Sequence, residues 1–178
     1  FPHLEYSKKK KSNIHQKTNK VLFVSQYAIG HLLIKTAIEL ATQMPKYEIL
    51  YKLHPKQSKN DIKNNLPTNL LIIGADEQTI YELFNQCSFQ VGVFSTAIYE
   101  GLAYGRLKTI LCELPGHEFA LDLFHIGDVQ LASNATSIKE IILNHKFKSI
   151  NGNKYFKPNS IKTMISSINL ILDENSKK

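Results

Sequence analysis

Apolar and polar positions alternate along this chain in two periods, and the periods take turns. Short continuous apolar runs occur at Val21–Ser25, Glu48–Leu53, Asn69–Ile73, Phe89–Phe94, Thr109–Glu113 and Val129–Ala132. Each is followed by a stretch in which apolar residues recur every three or four positions. The clearest is 29–44, with Ile29, Leu32, Leu33, Ala37, Leu40, Ala41 and Met44 on one face. Further helices are predicted at Lys59–Leu66, Glu77–Gln86, Ser95–Tyr104, His117–Phe124 and Ser137–His145, the last capped by Thr136 or Ser137. A final helix is predicted at about Ser160–Asp173. Strands separated by helices imply βαβ units and a parallel sheet. Runs such as Val21-Leu22-Phe23-Val24 are apolar throughout rather than alternating, as parallel strands covered on both faces should be. The expected fold is α/β: a doubly wound, Rossmann-like parallel sheet of about six strands, without internal repeats.

Composition changes that picture at the ends of the chain. Its 178 residues suit one domain, and no apolar run approaches the roughly 18 residues of a membrane span. The net charge is +7. Residues 1–20 hold six lysines (Lys8, Lys9, Lys10, Lys11, Lys17 and Lys20) against one acid, Glu5, and Lys177 and Lys178 close the chain. Residues 21–176 hold 14 basic and 14 acidic side chains, so the body is formally neutral. That distribution argues against a nucleic-acid partner. Lys8 to Lys11 reads first as solvated linker and second as a patch for anionic lipid, a peripheral contact at the inner face of a membrane. The expected organisation is a basic linker or tail at 1–19, one domain at 20–174 and a short tail at 175–178. The chain begins at Phe1 with no signal-peptide pattern, which reads as a piece excised from a longer protein. Cys87 and Cys112 have no metal-type spacing and read as buried free thiols of a reducing, cytoplasmic compartment.

A doubly wound sheet binds ligands beyond the carboxyl ends of its strands, and that rule selects the loops that matter. Ser95 follows one apolar run and opens a helix. Its hydroxyl can cap the first turn, whose unpaired N–H groups and dipole favour an anion. Ala97 allows close approach of a ligand, and Thr96 and Glu100 share a helix face. The functional reading is a phosphate at the helix N-terminus with Glu100 on a ribose or other diol; the plain reading is an N-cap with a surface glutamate. Lys52-Leu53-His54-Pro55-Lys56 ends another strand. There His54 can bond a phosphate or act as an acid, with Lys52 and Lys56 adding positive charge; otherwise it merely caps the sheet edge. Ser25-Gln26-Tyr27-Ala28-Ile29-Gly30 follows the first strand. It lacks a dinucleotide fingerprint, and Ser25, Gln26 and Gly30 are weaker candidates for binding. His31 reads as a helix-surface residue. Pro115-Gly116-His117-Glu118 offers helix N–H groups or a simple turn. Asp76 and Glu77 read as N-cap and first-turn acids. His3, His15, His125 and His145 share no ligand spacing, and neither a metal nor another cofactor is called for. Gly92, Gly101 and Gly105 suit tight helix–sheet contact beside the proposed site.

Lys52-Leu53-His54-Pro55, followed about forty residues later by Phe94-Ser95-Thr96-Ala97-Ile98-Tyr99-Glu100-Gly101, resembles the C-terminal, donor-binding domain of GT-B glycosyltransferases of bacterial surface-polysaccharide synthesis. The pattern is also similar to CDP-glycerol glycerophosphotransferases, which pair a His-Pro with a Ser-Ser turn and an acid five residues on. Non-hydrolysing UDP-N-acetylglucosamine 2-epimerases share the serine-plus-five glutamate. The resemblance covers about residues 20–172. It implies that His54 contacts the phosphates of a nucleotide-activated sugar or polyol, that Ser95 and Thr96 bind pyrophosphate, and that Glu100 holds the ribose. Thr96-Ala97 stands where the relatives carry Ser-Ser or Gly-Gly. It further implies an N-terminal acceptor domain that supplies the catalytic base, so the expected function is capsule or surface-polysaccharide transfer by a longer protein. The alternatives are a nucleotide-sugar epimerase domain and a glycerophosphotransferase domain.

Overall fold

The computed structural model describes residues 18–62, 65–105, 107–148, 150–156 and 159–175. Most of the expected linker at 1–19 and the end of the 175–178 tail lie outside them. Six parallel strands run in the order β3-β2-β1-β4-β5-β6. They are β1 (Lys20–Val24), β2 (Glu48–Lys52), β3 (Leu70–Ile73), β4 (Phe89–Gly92), β5 (Lys108–Cys112) and β6 (Gln130–Ala132). The helices are α1 (Gly30–Gln43), α2 (Ile80–Gln86), α3 (Thr96–Tyr104), α4 (Leu121–His125), α5 (Ala135–Asn144) and α6 (Ser160–Asn175), with single 3₁₀ turns at Lys59–Asp61, His117–Ala120 and Gly152–Lys154. The all-parallel α/β architecture expected from the apolar runs is present.

The strands' period of two sorts their side chains onto two buried faces. Val21, Phe23, Ile49, Tyr51, Phe89, Val91 and Ile110 pack with Leu33, Ala37 and Leu40 of α1 and with Ile138 and Ile142 of α5. On the other face Leu22, Val24 and Leu50 meet Leu83 and Phe84 of α2 and Ala103 and Tyr104 of α3. Leu111 lies on that face too, between α3 and Leu123 of α4. Helices on both faces make the sheet doubly wound. The chain builds outward from β1 through β2 to β3, then returns to β1's other side for β4. The switch point therefore falls between β1 and β4, where a crevice opens beyond the strand ends.

Local chemistry moved several element boundaries. The expected helix at 77–86 begins at Ile80. Thr79 and Glu82 form a reciprocal capping box, with Thr79 N–H on Glu82 Oε2 at 2.7 Å, so Asp76 and Glu77 are neither cap nor first turn. Glu77 instead accepts from Gly74 N–H at 3.1 Å and pairs with Lys59 at 2.5 Å. The expected helix at 59–66 is described as one 3₁₀ turn, Lys59–Asp61, capped by Ser58. The expected helix at 117–124 divides into a 3₁₀ turn and α4. Asn134, rather than Thr136 or Ser137, caps α5 by accepting Ser137 N–H at 2.9 Å. Gly105 ends α3 in the left-handed region at φ 75°, so its glycine serves the helix stop and not tight packing. Cys87 and Cys112 are buried and unpaired, and burial pushes both thiols up to about 12.

The last helix, α6, differs from the rest. Ile161, Met164, Ile165, Ile168, Ile171 and Leu172 recur at helical spacing, and all are exposed, Met164 by 63%. Among the described residues no helix is long and apolar enough to cross a membrane.

Candidate functional site

Parallel pairing sends β2, β1 and β4 to the same edge, and neighbouring strands lie about 4.8 Å apart. The loops that follow them, beginning at Leu53, Ser25 and Val93, are therefore side by side. Two side-chain bonds stitch them together. Ser25, buried at the end of β1, donates its hydroxyl hydrogen to Gln57 Oε1 at 2.7 Å, which ties the β1 loop to the His54 loop. Gln26 Oε1 accepts Phe94 N–H at 3.1 Å and ties the same loop to the one that opens α3.

His54 stands at the first residue of a tight turn. Gln57 N–H closes the turn on His54 C=O at 2.8 Å, with Pro55 at the position where its fixed φ is favoured. Lys56 N–H donates to His54 Nδ1 at 3.1 Å, and His54 N–H donates to Gln57 Oε1 at 3.0 Å. The half-buried ring lies 6.3 Å from that of the exposed Tyr27.

Below this turn, Tyr51 O–H donates to Gly30 C=O at 3.0 Å, and its oxygen lies 3.0 Å from Ser25 Oγ. Burial pushes the Tyr51 hydroxyl up to about 12, against the opposing effect of the bond to Ser25, so it keeps its hydrogen at neutral pH. A cavity of about 90 Å³ adjoins this cluster, lined by Gly30, His31, Tyr51, Leu53, Gln57 and Asp61 among others.

At β4's end, Ser95 caps α3 as the sequence suggests. Its hydroxyl accepts Ala97 N–H at 3.3 Å and its carbonyl accepts Ile98 N–H at 2.9 Å. Thr96 is exposed beside it and Ala97 is half-buried. One turn deeper, Glu100 is only 8% exposed. Tyr81 of α2 is its neighbour across the helix pair; burial first, and then this carboxylate, hold Tyr81 well above the ordinary tyrosine value.

Lys52 is placed differently from its sequence reading. Its ammonium donates to the carbonyls of Gly74, Ala75 and Gln78 at 2.7, 2.6 and 2.6 Å. An ammonium has three hydrogens, so none is left for a phosphate. Lys52 fastens the β3–α2 loop instead. Burial pushes it below the ordinary lysine value, while Asp76, Glu77 and Glu82 pull the other way.

Gly30 also has a reason the sequence does not display. A side chain there would put its Cβ 2.0 Å from Gln57 Nε2 and 2.9 Å from Ser25 Oγ. Gln57 itself was missed by sequence reasoning; its signal was only its position three residues after His54, where a turn closes. Likewise Gly101 gives room to Gln90, and Gly92 to Ile98. Both fit the tight helix–sheet contact expected of them.

No family model and no curated protein sequence matches the chain. Solved structures do. The spinosyn rhamnosyltransferase SpnG superposes with a TM-score of 0.55 at 16% identity, over 71% of this chain and 37% of its own. SpnG has also been solved complexed with thymidine diphosphate. The glycosyltransferase of kitacinnamycin gives a TM-score of 0.51 at 12% identity over 83% of this chain and 39% of its own. SnogD from Streptomyces nogalater gives 0.52 at 11% over 75% and 35%. The chain thus spans less than two fifths of the length of each. Its six parallel strands, wound on both faces around a β1/β4 switch point, are the Rossmann-like fold of one half of a GT-B glycosyltransferase.

Proposed function

We propose that this chain is the donor-binding domain of a glycosyltransferase or related polymer transferase of bacterial surface-polysaccharide synthesis, and that it binds a nucleotide-activated sugar or polyol. The observation that carries this reading is the stitching of the β2, β1 and β4 loops by the Ser25–Gln57 and Gln26–Phe94 bonds, which ties the His54 loop and the loop that opens α3 to the same edge of the sheet. Thymidine diphosphate in SpnG supports it by analogy of fold. In this reading the α3 N-terminus and Thr96 hold a phosphate, His54 donates a hydrogen bond to it, and Glu100 takes the ribose hydroxyls. These dipoles stabilise the nucleotide as it leaves. Ser25, Gln26 and Gly30 shape the loop, and Lys52 supports it from behind. The acceptor and the catalytic base belong to a second domain, so this chain binds nucleotide without turnover.

Titration calorimetry against CMP, CDP, UDP, GDP and TDP, and against their sugar and glycerol conjugates, tests the reading. At least one binds, and His54→Ala and Glu100→Ala each weaken it about tenfold, the worth of one charge-assisted hydrogen bond. Both variants binding like the wild type with the fold intact would place the site elsewhere. Turnover by the 178-residue chain alone would refute the need for a partner domain.

A further inference from the structure

We infer that Gln57 is a positioning residue for His54: its side-chain carbonyl pins the His54 turn to the end of β1 and keeps the neutral imidazole in the tautomer that carries its hydrogen on Nε2. Its bearing on nucleotide binding rests on the reading of His54 as a phosphate contact.

The tautomer follows from one bond. Lys56 N–H donates to His54 Nδ1 at 3.1 Å, and a ring nitrogen that accepts carries no hydrogen. The hydrogen of the neutral ring therefore sits on Nε2. That nitrogen is then a hydrogen-bond donor, which a phosphate oxygen requires. The bond to Nδ1 holds only while Lys56 N–H keeps its direction, and the turn sets that direction.

Gln57 grips the turn twice. Its N–H reaches His54 C=O at 2.8 Å, and its side-chain carbonyl takes His54 N–H at 3.0 Å. The same carbonyl accepts the Ser25 hydroxyl at 2.7 Å, so the turn cannot shift without dragging on β1. Pro55, inside the turn, has no N–H with which to replace these bonds. The glycine at position 30 is the second, independent sign. It leaves the space that the Gln57 amide fills, since a Cβ would lie 2.0 Å from Nε2. The start of α1 is thus shaped around this one side chain. Gln57 has no need to touch a ligand; it acts through the ring that would.

The test is nitrogen-15 NMR of the imidazoles in the 178-residue chain at about pH 8, above the ordinary histidine value of about 6.5. His54 of the wild type shows the Nε2–H form. Gln57→Leu removes both side-chain acceptor bonds. The Nδ1–H form then appears, and the Kd for the tightest of CMP, CDP, UDP, GDP and TDP rises about tenfold. Gln57→Glu keeps the acceptor oxygens and restores the wild-type tautomer. Gly30→Ala, which expels the amide, behaves like Gln57→Leu. Should Gln57→Leu not fold, Gly30→Ala and Ser25→Ala, which cuts the tie to β1 together with the contact to Tyr51, carry the comparison. A wild-type tautomer in a Gln57→Leu protein of lowered stability makes the residue merely structural and overturns the inference, as does a failure of Gln57→Glu to rescue. A tautomer that follows Gln57, in a protein where His54→Ala leaves nucleotide binding intact, upholds the positioning of the ring and refutes the phosphate role.

Discussion

Gly101→Ala should destabilise this protein although it replaces glycine by the best helix former in the middle of a helix. The added methyl would lie 2.1 Å from Gln90 Oε1 and 2.4 Å from both Cδ and Nε2. Gln90 cannot swing aside cheaply. It is fully buried, and its Nε2 donates to Ile98 C=O at 2.9 Å and Thr109 Oγ1 at 2.8 Å. Its Oε1 is already buried without a partner, so the site has no slack in its polar accounting. Overpacking costs about 1–3 kcal/mol, and orphaning a buried polar group about 1–3 kcal/mol more. Alanine returns about 1 kcal/mol in helix propensity. The net is a loss of about 1–5 kcal/mol. Urea unfolding followed by circular dichroism reads this as a fall of roughly 0.5–2.5 M in midpoint for a slope near 2 kcal/mol per molar. In a Gln90→Ala background the collision is gone, and the same substitution should become neutral or favourable. An undiminished midpoint in the wild-type background, or a penalty that persists without Gln90, would show that the close approach at Gly101 is not what governs this position.

Two further outcomes follow from other side chains. Lys52→Met strips three carbonyls of a charge-assisted partner and should cost about 2–3 kcal/mol in a thermal melt, with nucleotide Kd unchanged; a Kd that rises with intact stability would return Lys52 to the ligand. Asp128 pays for burial, but the bonds from Lys154 (2.6 Å) and Tyr155 hold it below the ordinary aspartate value of 3.8. Its stabilisation is therefore full above pH 3.8 and is lost as pH falls through the lower folded value. Asp128→Asn should flatten the melting temperature against pH below about 4, and an unchanged slope there would refute the assignment.

What the chain's pattern discloses and what it hides divide along range. Strand identity came from runs such as Val21-Leu22-Phe23-Val24, because burial on both faces writes itself into consecutive residues. Ser95 as a cap was legible for the same reason: its bonds to Ala97 and Ile98 are local. The bonds of Lys52 were hidden because its three carbonyls lie 22 to 26 residues away. The influence of Glu100 on Tyr81 crosses from α3 to α2, and Ser25 meets Gln57 across 32 residues. Such contacts depend on the strand order, and no local period encodes strand order. The displaced start of α2 is a different failure. Asp76, Glu77 and Thr79 all suit a cap, and only the reciprocal bond with Glu82 singles out Thr79.

The exposed stripe of α6 has a consequence for how the molecule breathes. Every residue from Ile161 to Leu172 is exposed, so this stretch has little of the tertiary burial that normally sustains a helix. A lone helix of this length is marginal in water. Its backbone amides should therefore exchange with deuterated solvent through local fraying, long before those of β1 and β4 open in a global event. The chain would thus hold two stabilities at once: a slow-exchanging sheet that carries the crevice at the β1/β4 switch point, and a fast-exchanging helix that slows when its apolar stripe is covered.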